Sequence, residues 1–230
     1  SLYEGTDFQS GKLANRVVDE MGYGDFSKTD LEKYLSGKKA TVQTNFDDYT
    51  ENLSGSSSVK DIETMFQLIY LKCTAPRKDE TALRSYISRQ KQQFEMLMQS
   101  PEFAFTENTI VDMNQHHPRA HILPSSEELD AIDIDHSLSY YQQRMGNVSG
   151  MHFYITGNIK PEEIKPLIEK YIGSLPGGPI NTNFKDLKII PKPGINRFTF
   201  NKGKEKKALI NHYIFNTIPY NIDEAFYLNI

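Results

Sequence analysis

Residues 151–173 constrain this chain most, because they dictate a strand, a turn and a helix in immediate succession. The run MHFYIT is short, apolar and rich in β-formers, and Gly157-Asn158 stops it. Pro161 suits a first helical turn, and Glu162 and Glu163 lie where the positive end of the helix dipole favours carboxylates. Ile164, Leu167, Ile168, Tyr171 and Ile172 recur at three- and four-residue spacing, and Gly173 follows as a C-terminal stop. The pattern predicts a buried strand over 151–156 and a helix packed beside it. A βα unit of this kind carries no chemistry by itself.

The remaining chain extends the same plan. Residues 11–21 read as a helix closed by Gly22 and Gly24, and Thr29-Asp-Leu-Glu32 reads as a capping box for a short second helix. Ala40, Val42, Thr44 and Phe46 alternate as a strand, with Tyr49, Glu51 and Leu53 returning as its hairpin partner across Asp47-Asp48. Ser58 caps an apolar helix that ends in LIYLKCTAPR. Asp79 opens a long helix that Pro101 breaks, and a further helix follows from Glu102 to Met113. Ser125-Ser-Glu-Glu128 is a second capping box, and Leu138, Tyr141 and Met145 form one face of a helix ending at Gly146. Antiparallel strands backed by helices on one face predict an α+β two-layer domain. Pro176-Gly-Gly-Pro179 and Asn181-Thr-Asn183 read as a linker. Residues 187–190, 196–201 and 209–218 read as successive strands of a second domain.

Two segments together resemble a known family. GDFSKTDLEKYLSGKKATVQTNFDDYTENLSGSSSVKDIETMFQLIYLKCTAPR and MHFYITGNIKPEEIKPLIEKYIGSLP are similar to the middle and the close of a domain in the insulinase/pitrilysin zinc metallopeptidases, the inverted zincins of peptidase family M16. The resemblance runs in order over residues 5–178. It implies a metallohydrolase-type domain over 1–178, without its opening strand, a linker over 179–185, and the first strands of a second homologous domain over 186–230. A sheet without its opening strand leaves an uncovered edge, open to pairing with a second copy of the chain.

The family's catalytic signature is His-x-x-Glu-His on the first helix, with a distal Glu on a later one. Two imidazoles one turn apart grip a single zinc ion, and the intervening Glu polarises its water. Alignment on Leu13-Ala14 puts Asn15 and Asp19 at the imidazole positions, Val18 at the base, and Gln92 or Gln93, with Glu95 nearby, at the distal carboxylate. The first histidine in the chain is His116, so no frame shift restores the pair. Valine moves no proton, and an Asn/Asp/Gln set matches zinc poorly. The resemblance therefore implies a degenerate copy, with no catalytic residue, no metal ligand and no cofactor of its own.

Other chemistry finds little support. With 230 residues and a formal charge of −4, the chain has material for a core and no basic stripe for nucleic acid. Lys202 to Lys207 reads as a solvated hairpin turn. No transmembrane run is present. Cys73 is the single cysteine, which excludes an internal disulfide and leaves a small core residue. His116-His117-Pro-Arg-Ala-His121 reads as a surface loop, with an adventitious metal site as the alternative, because Pro118 forbids helix-face spacing. His152 and His212 are expected in strands, partly buried.

The resemblance implies two functions. In the first, the chain is a non-catalytic C-terminal half that closes over a zinc-bearing N-terminal half of the same parent and encloses a peptide. In the second, the parent has no active half and is a structural or assembly core subunit. Long bacterial members of the family are commonly envelope proteins, so the resemblance points to the periplasm or cell envelope.

Overall fold

The alternation read in ATVQTNF is seen directly: Ala40, Val42 and Thr44 are buried while Thr41, Gln43 and Asn45 face out. In the computed structural model, which describes residues 5, 7–47, 50–180 and 185–215, this strand is β1 (Ala40–Phe46). It pairs antiparallel with β2 (Glu51–Ser57) in the register Ala40↔Ser57 to Phe46↔Glu51. Tyr49 lies outside the described residues. The two strands make the only sheet among the described residues, and the rest of the regular structure is helical.

The chain divides into two units, 1–94 with 124–186 and 95–123 with 187–230. The first holds α1 (Asp7–Lys12), α2 (Ala14–Met21), α3 (Lys28–Tyr34), the hairpin, and α4 (Ile62–Thr74). It also holds most of α5 (Glu80–Gln99), α7 (Ser126–Asp130), α8 (Ile134–Met145), and α9 (Pro161–Leu167), which continues as a π-helical turn over Ile168–Ile172. The main core gathers Val17, Val18 and Met21 of α2 with Tyr86 of α5 and Tyr141 and Met145 of α8. Each aliphatic side chain among them contributes about 1.5–3 kcal/mol on burial. A second cluster joins Ala40 and Val42 of β1 to Leu68, Ile69 and Cys73 of α4 and to Leu175.

Caps set most helix boundaries. Ser125 and Glu128 form the expected reciprocal box, Ser125 Oγ accepting from Glu128 N at 3.2 Å and Glu128 accepting from Ser125 N at 2.7 Å. Ser58 accepts from Asp61 N ahead of α4. The box expected at Thr29–Glu32 is corrected: Ser27 caps α3 instead, accepting from Asp30 N at 3.1 Å. Both serine and threonine can fill the role, and the turn at Gly22–Phe26 decides in favour of the earlier residue.

The helix of 161–172 forms, but not as a single α-helix. Pro166 has no N–H to return to the Glu162 carbonyl, and further along a wider turn spans Ile168–Ile172, where Gly173 N donates to Ile168 O at 2.8 Å.

The strand readings outside the hairpin are corrected. Residues 151–156 join no ladder and are mostly exposed, Tyr154 at 88%. His152 is exposed with them. β-propensity describes a surface suited to a sheet, but a strand exists only where a neighbour supplies hydrogen bonds, and no described segment does so here. The same holds for 187–190, 196–201 and the described part of 209–218, which carry no ladder; His212 is exposed, and 216–218 lie outside the described residues.

The second unit is built on α6 (Pro101–Met113), capped by Ser100. Extended chain lies along it: Lys192 N donates to Met113 O at 2.7 Å, and Phe198 stacks on Phe105 with ring centroids 6.3 Å apart. Residues 202–207 are exposed as expected, yet they turn without flanking strands, and Lys207 pairs with Glu102 at 2.5 Å.

Candidate functional site: the buried face of the second helix

α2 begins after Leu13 and ends at Gly22, whose N–H donates to Val18 O at 3.0 Å. Gly22 adopts φ +94°, and its neighbours Tyr23 and Gly24 are stitched to the segment after α4. Gly24 N donates to Ala75 O at 2.7 Å, and Arg77 N donates to Gly22 O at 3.1 Å. The Ala75-Pro76-Arg77 stretch thus has a mechanical role. It hangs the end of α2 on the end of α4 and aims Tyr23 into the interior.

Asn15, Val18 and Asp19 share one face of α2, as their spacing requires. Asn15 is buried and donates from Nδ2 to Thr44 O of β1 at 3.1 Å. Val18 is fully buried in the main core. Asp19 Oδ1 accepts from two donors, Lys72 Nζ of α4 and the Tyr23 hydroxyl. Lys72 also donates to the Tyr23 oxygen at 3.1 Å and lies 4.4 Å from the centre of its ring. The hydroxyls of Tyr23 and Tyr141 are 3.3 Å apart. Because Tyr23 spends its proton on Asp19, Tyr141 is the donor in that pair. Burial pushes the phenols of Tyr23 and Tyr141 far above the usual range, so both stay protonated donors.

The distal position does not join them. Gln92, Gln93 and Glu95 are exposed on α5, and Gln92 makes no hydrogen bond to Asn15 or Asp19. α5 meets α2 on the adjoining face, where Arg89 pairs with Glu20 and Glu20 pairs with Lys28 at 2.5 Å. One residue along a helix turns the side chain by about 100°, and that step separates Glu20 from Asp19.

The groups present do not fit a zinc ion. Asn15 turns its amide nitrogen, not its oxygen, toward β1. Val18 has no donor atom, and the one carboxylate already holds an ammonium group. Among the described residues no three His, Cys, Asp or Glu side chains converge elsewhere. In the histidine-rich loop two rings meet nearby backbone: His117 Nδ1 accepts from Arg119 N at 3.2 Å, and His121 Nδ1 lies 2.7 Å from Leu123 O. Sequence reasoning misses Lys72, Tyr23 and Tyr141 as members of this cluster. A lysine within the apolar run LIYLKC is the available signal, since a buried ammonium demands a carboxylate partner.

Comparison with known proteins finds a family model and several proteins similar to this chain. Residues 131–229 match the model of the Peptidase M16 inactive domain. Over 226 residues it is 22% identical to the probable zinc protease PqqL of Haemophilus influenzae, covering 97% of this chain and 24% of the relative. It is 24% identical over 163 residues to the PqqL of Escherichia coli, covering 71% of this chain and 17% of the relative. The chain therefore spans a quarter or less of the curated relatives it matches. Among solved structures, the periplasmic protease PqqL of Escherichia coli superposes with a TM-score of 0.65 at 20% identity, over 83% of this chain and 21% of that one. A mutant of the ferredoxin protease FusC, in complex with Arabidopsis ferredoxin, gives 0.60 at 17% identity, over 79% and 20%. The mixed helical fold with its two-stranded antiparallel sheet is similar to part of the fold of PqqL.

Proposed function

We propose that this chain is a non-catalytic part of a zinc endopeptidase, shaping and positioning a peptide opposite a zinc-bearing half of the same protein. On this reading residues 1–178 are the degenerate domain, 179–185 a linker, and 186–230 part of a second homologous domain. Asn15, Val18, Asp19 and Gln92 stand at the degenerate catalytic positions. The carrying observation is the state of α2: the face that would grip a metal is instead tied to β1 through Asn15 and to Lys72 through Asp19. With no group there able to activate water, the remaining physical contributions are enclosure and orientation of substrate. Peptide binding along a sheet edge, through main-chain hydrogen bonds, fits a protease with broad sequence tolerance. The relatives known as probable zinc proteases support zinc in the other half, and the periplasmic PqqL supports a periplasmic location. One buried, unpaired cysteine accords with that compartment as well as with a reducing one.

The test is peptide turnover. The parent protein should hydrolyse unfolded peptides in a chelator-sensitive manner. This chain alone should hydrolyse none, with or without added zinc. Chelator-sensitive cleavage by the pure chain would overturn the reading. A parent without His-x-x-Glu-His in its other half would favour the assembly-subunit alternative.

Self-association belongs to the same proposal. Residues 153–155, Phe-Tyr-Ile, are apolar, exposed and outside any ladder, and such a segment invites a second copy. The isolated chain is expected to dimerise in the micromolar range. A monomeric mass by light scattering across that range would refute it.

A further inference from the structure

We propose that Lys72 is the resident cation of the degenerate site: its ammonium neutralises Asp19 and holds the position against a divalent metal. This rests on reading α2 as the helix that carries the catalytic signature in active relatives, and it goes further by assigning what fills that place here. Lys72 is only 7% exposed. A buried ammonium is costly unless it is paired and further hydrogen-bonded, and this one has both kinds of support. Asp19 supplies the opposite charge, the Tyr23 oxygen a second acceptor, and the Tyr23 ring face a third contact.

The arrangement is convergent rather than incidental. Asp19 is on α2, Tyr23 in the turn after it, and Lys72 on α4, fifty-three residues from Asp19. Tyr141 arrives from α8 and donates to the Tyr23 oxygen, which fills that atom's second lone pair. The Tyr23 oxygen therefore has no capacity left for another ligand, and Asp19 Oδ1 already serves two donors. A metal entering here would have to displace a tethered positive charge and repel it at close range.

Two measurements on the intact chain test this. The first is urea unfolding of wild type, Lys72→Met, Asp19→Asn and the double variant. Lys72→Met should lower the midpoint by stranding a carboxylate, and adding Asp19→Asn should restore at least half of that loss. If Lys72→Met does not fold, a folded double variant meets the same expectation. A double variant no more stable than Lys72→Met overturns the proposal. The second is Co²⁺ absorption of Asn15→His/Asp19→His with and without Lys72→Met. A ligand-field band is expected only when Lys72 has been replaced. A band of equal strength with Lys72 present, or no band in either protein, overturns the claim that Lys72 is what bars the metal. Neither measurement involves peptide hydrolysis, so failure here is distinct from failure of the proposed function.

Discussion

Gly22 and Phe26 approach so closely that a Cβ on Gly22 would lie 2.2 Å from the Phe26 carbonyl oxygen. The contact closes the turn that delivers Tyr23 to Asp19 and Lys72, and Tyr23 N and Phe26 N reinforce it with reciprocal bonds of 3.0 Å. Gly22 also sits at φ +94°, where a side chain is strained even in open space. Gly22→Ala should destabilise the chain by about 2–4 kcal/mol, from strain together with the backbone displacement it forces. Chemical denaturation reads this directly. A loss below about 1 kcal/mol would mean the turn is not held as tightly as the contact requires.

Cys73 should be inert in the native state. It is buried against β1, and desolvation pushes its thiol up to about 11, so almost no thiolate exists at neutral pH. Labelling with a thiol reagent should proceed at the rate of unfolding and become fast in denaturant. Prompt stoichiometric labelling without denaturant would contradict the burial.

His136 should titrate above an ordinary imidazole. Its Nδ1 lies 3.0 Å from Asp7 Oδ1, and that hydrogen bond, more than any other influence, favours the charged ring. A folded-state pKa raised above the unfolded value gives stability that is complete below the unfolded value, near 6.5, and lost as pH rises through the folded one. The pair is exposed, so the stability effect is small, and the titration itself is the better measurement. Asp7→Asn should bring the imidazole midpoint down in an NMR titration. An unchanged midpoint would show that Asp7 is not the cause.

Tyr141→Phe removes the donor to the Tyr23 oxygen while leaving the aromatic packing with Phe46 in place. The expected cost is about 1 kcal/mol, that of one buried neutral hydrogen bond. Tyr23→Phe should cost more, since it removes the donor to Asp19 and an acceptor of Lys72 together. Equal losses from the two variants would count against Tyr23 as the hub.

What could be read in advance follows the range of the interactions. The Ser125–Glu128 box and the alternation of Ala40, Val42 and Thr44 are local, and both stand in the structure. Residues 151–156 have the composition of a strand, but pairing is a relation to another segment and cannot be read from one of them. Pro166 and its missing donor lie within the helix pattern, whereas the widened turn over Ile168–Ile172 has no counterpart in that pattern. The positions of Asn15, Val18 and Asp19 on one helix face follow from spacing alone. Their true partners do not: Thr44 and Lys72 lie 29 and 53 residues away, and only the tertiary fold chooses them.

The Lys72–Asp19 pair has a bearing on how the protein is made. An ion recruited from solution depends on supply, competes with other ligands and can be stripped by a scavenger. An ammonium borne on α4 arrives with translation in a fixed one-to-one ratio. The interior of this domain can reach charge balance in surroundings starved of metal, where a partner that must first be loaded would still be waiting.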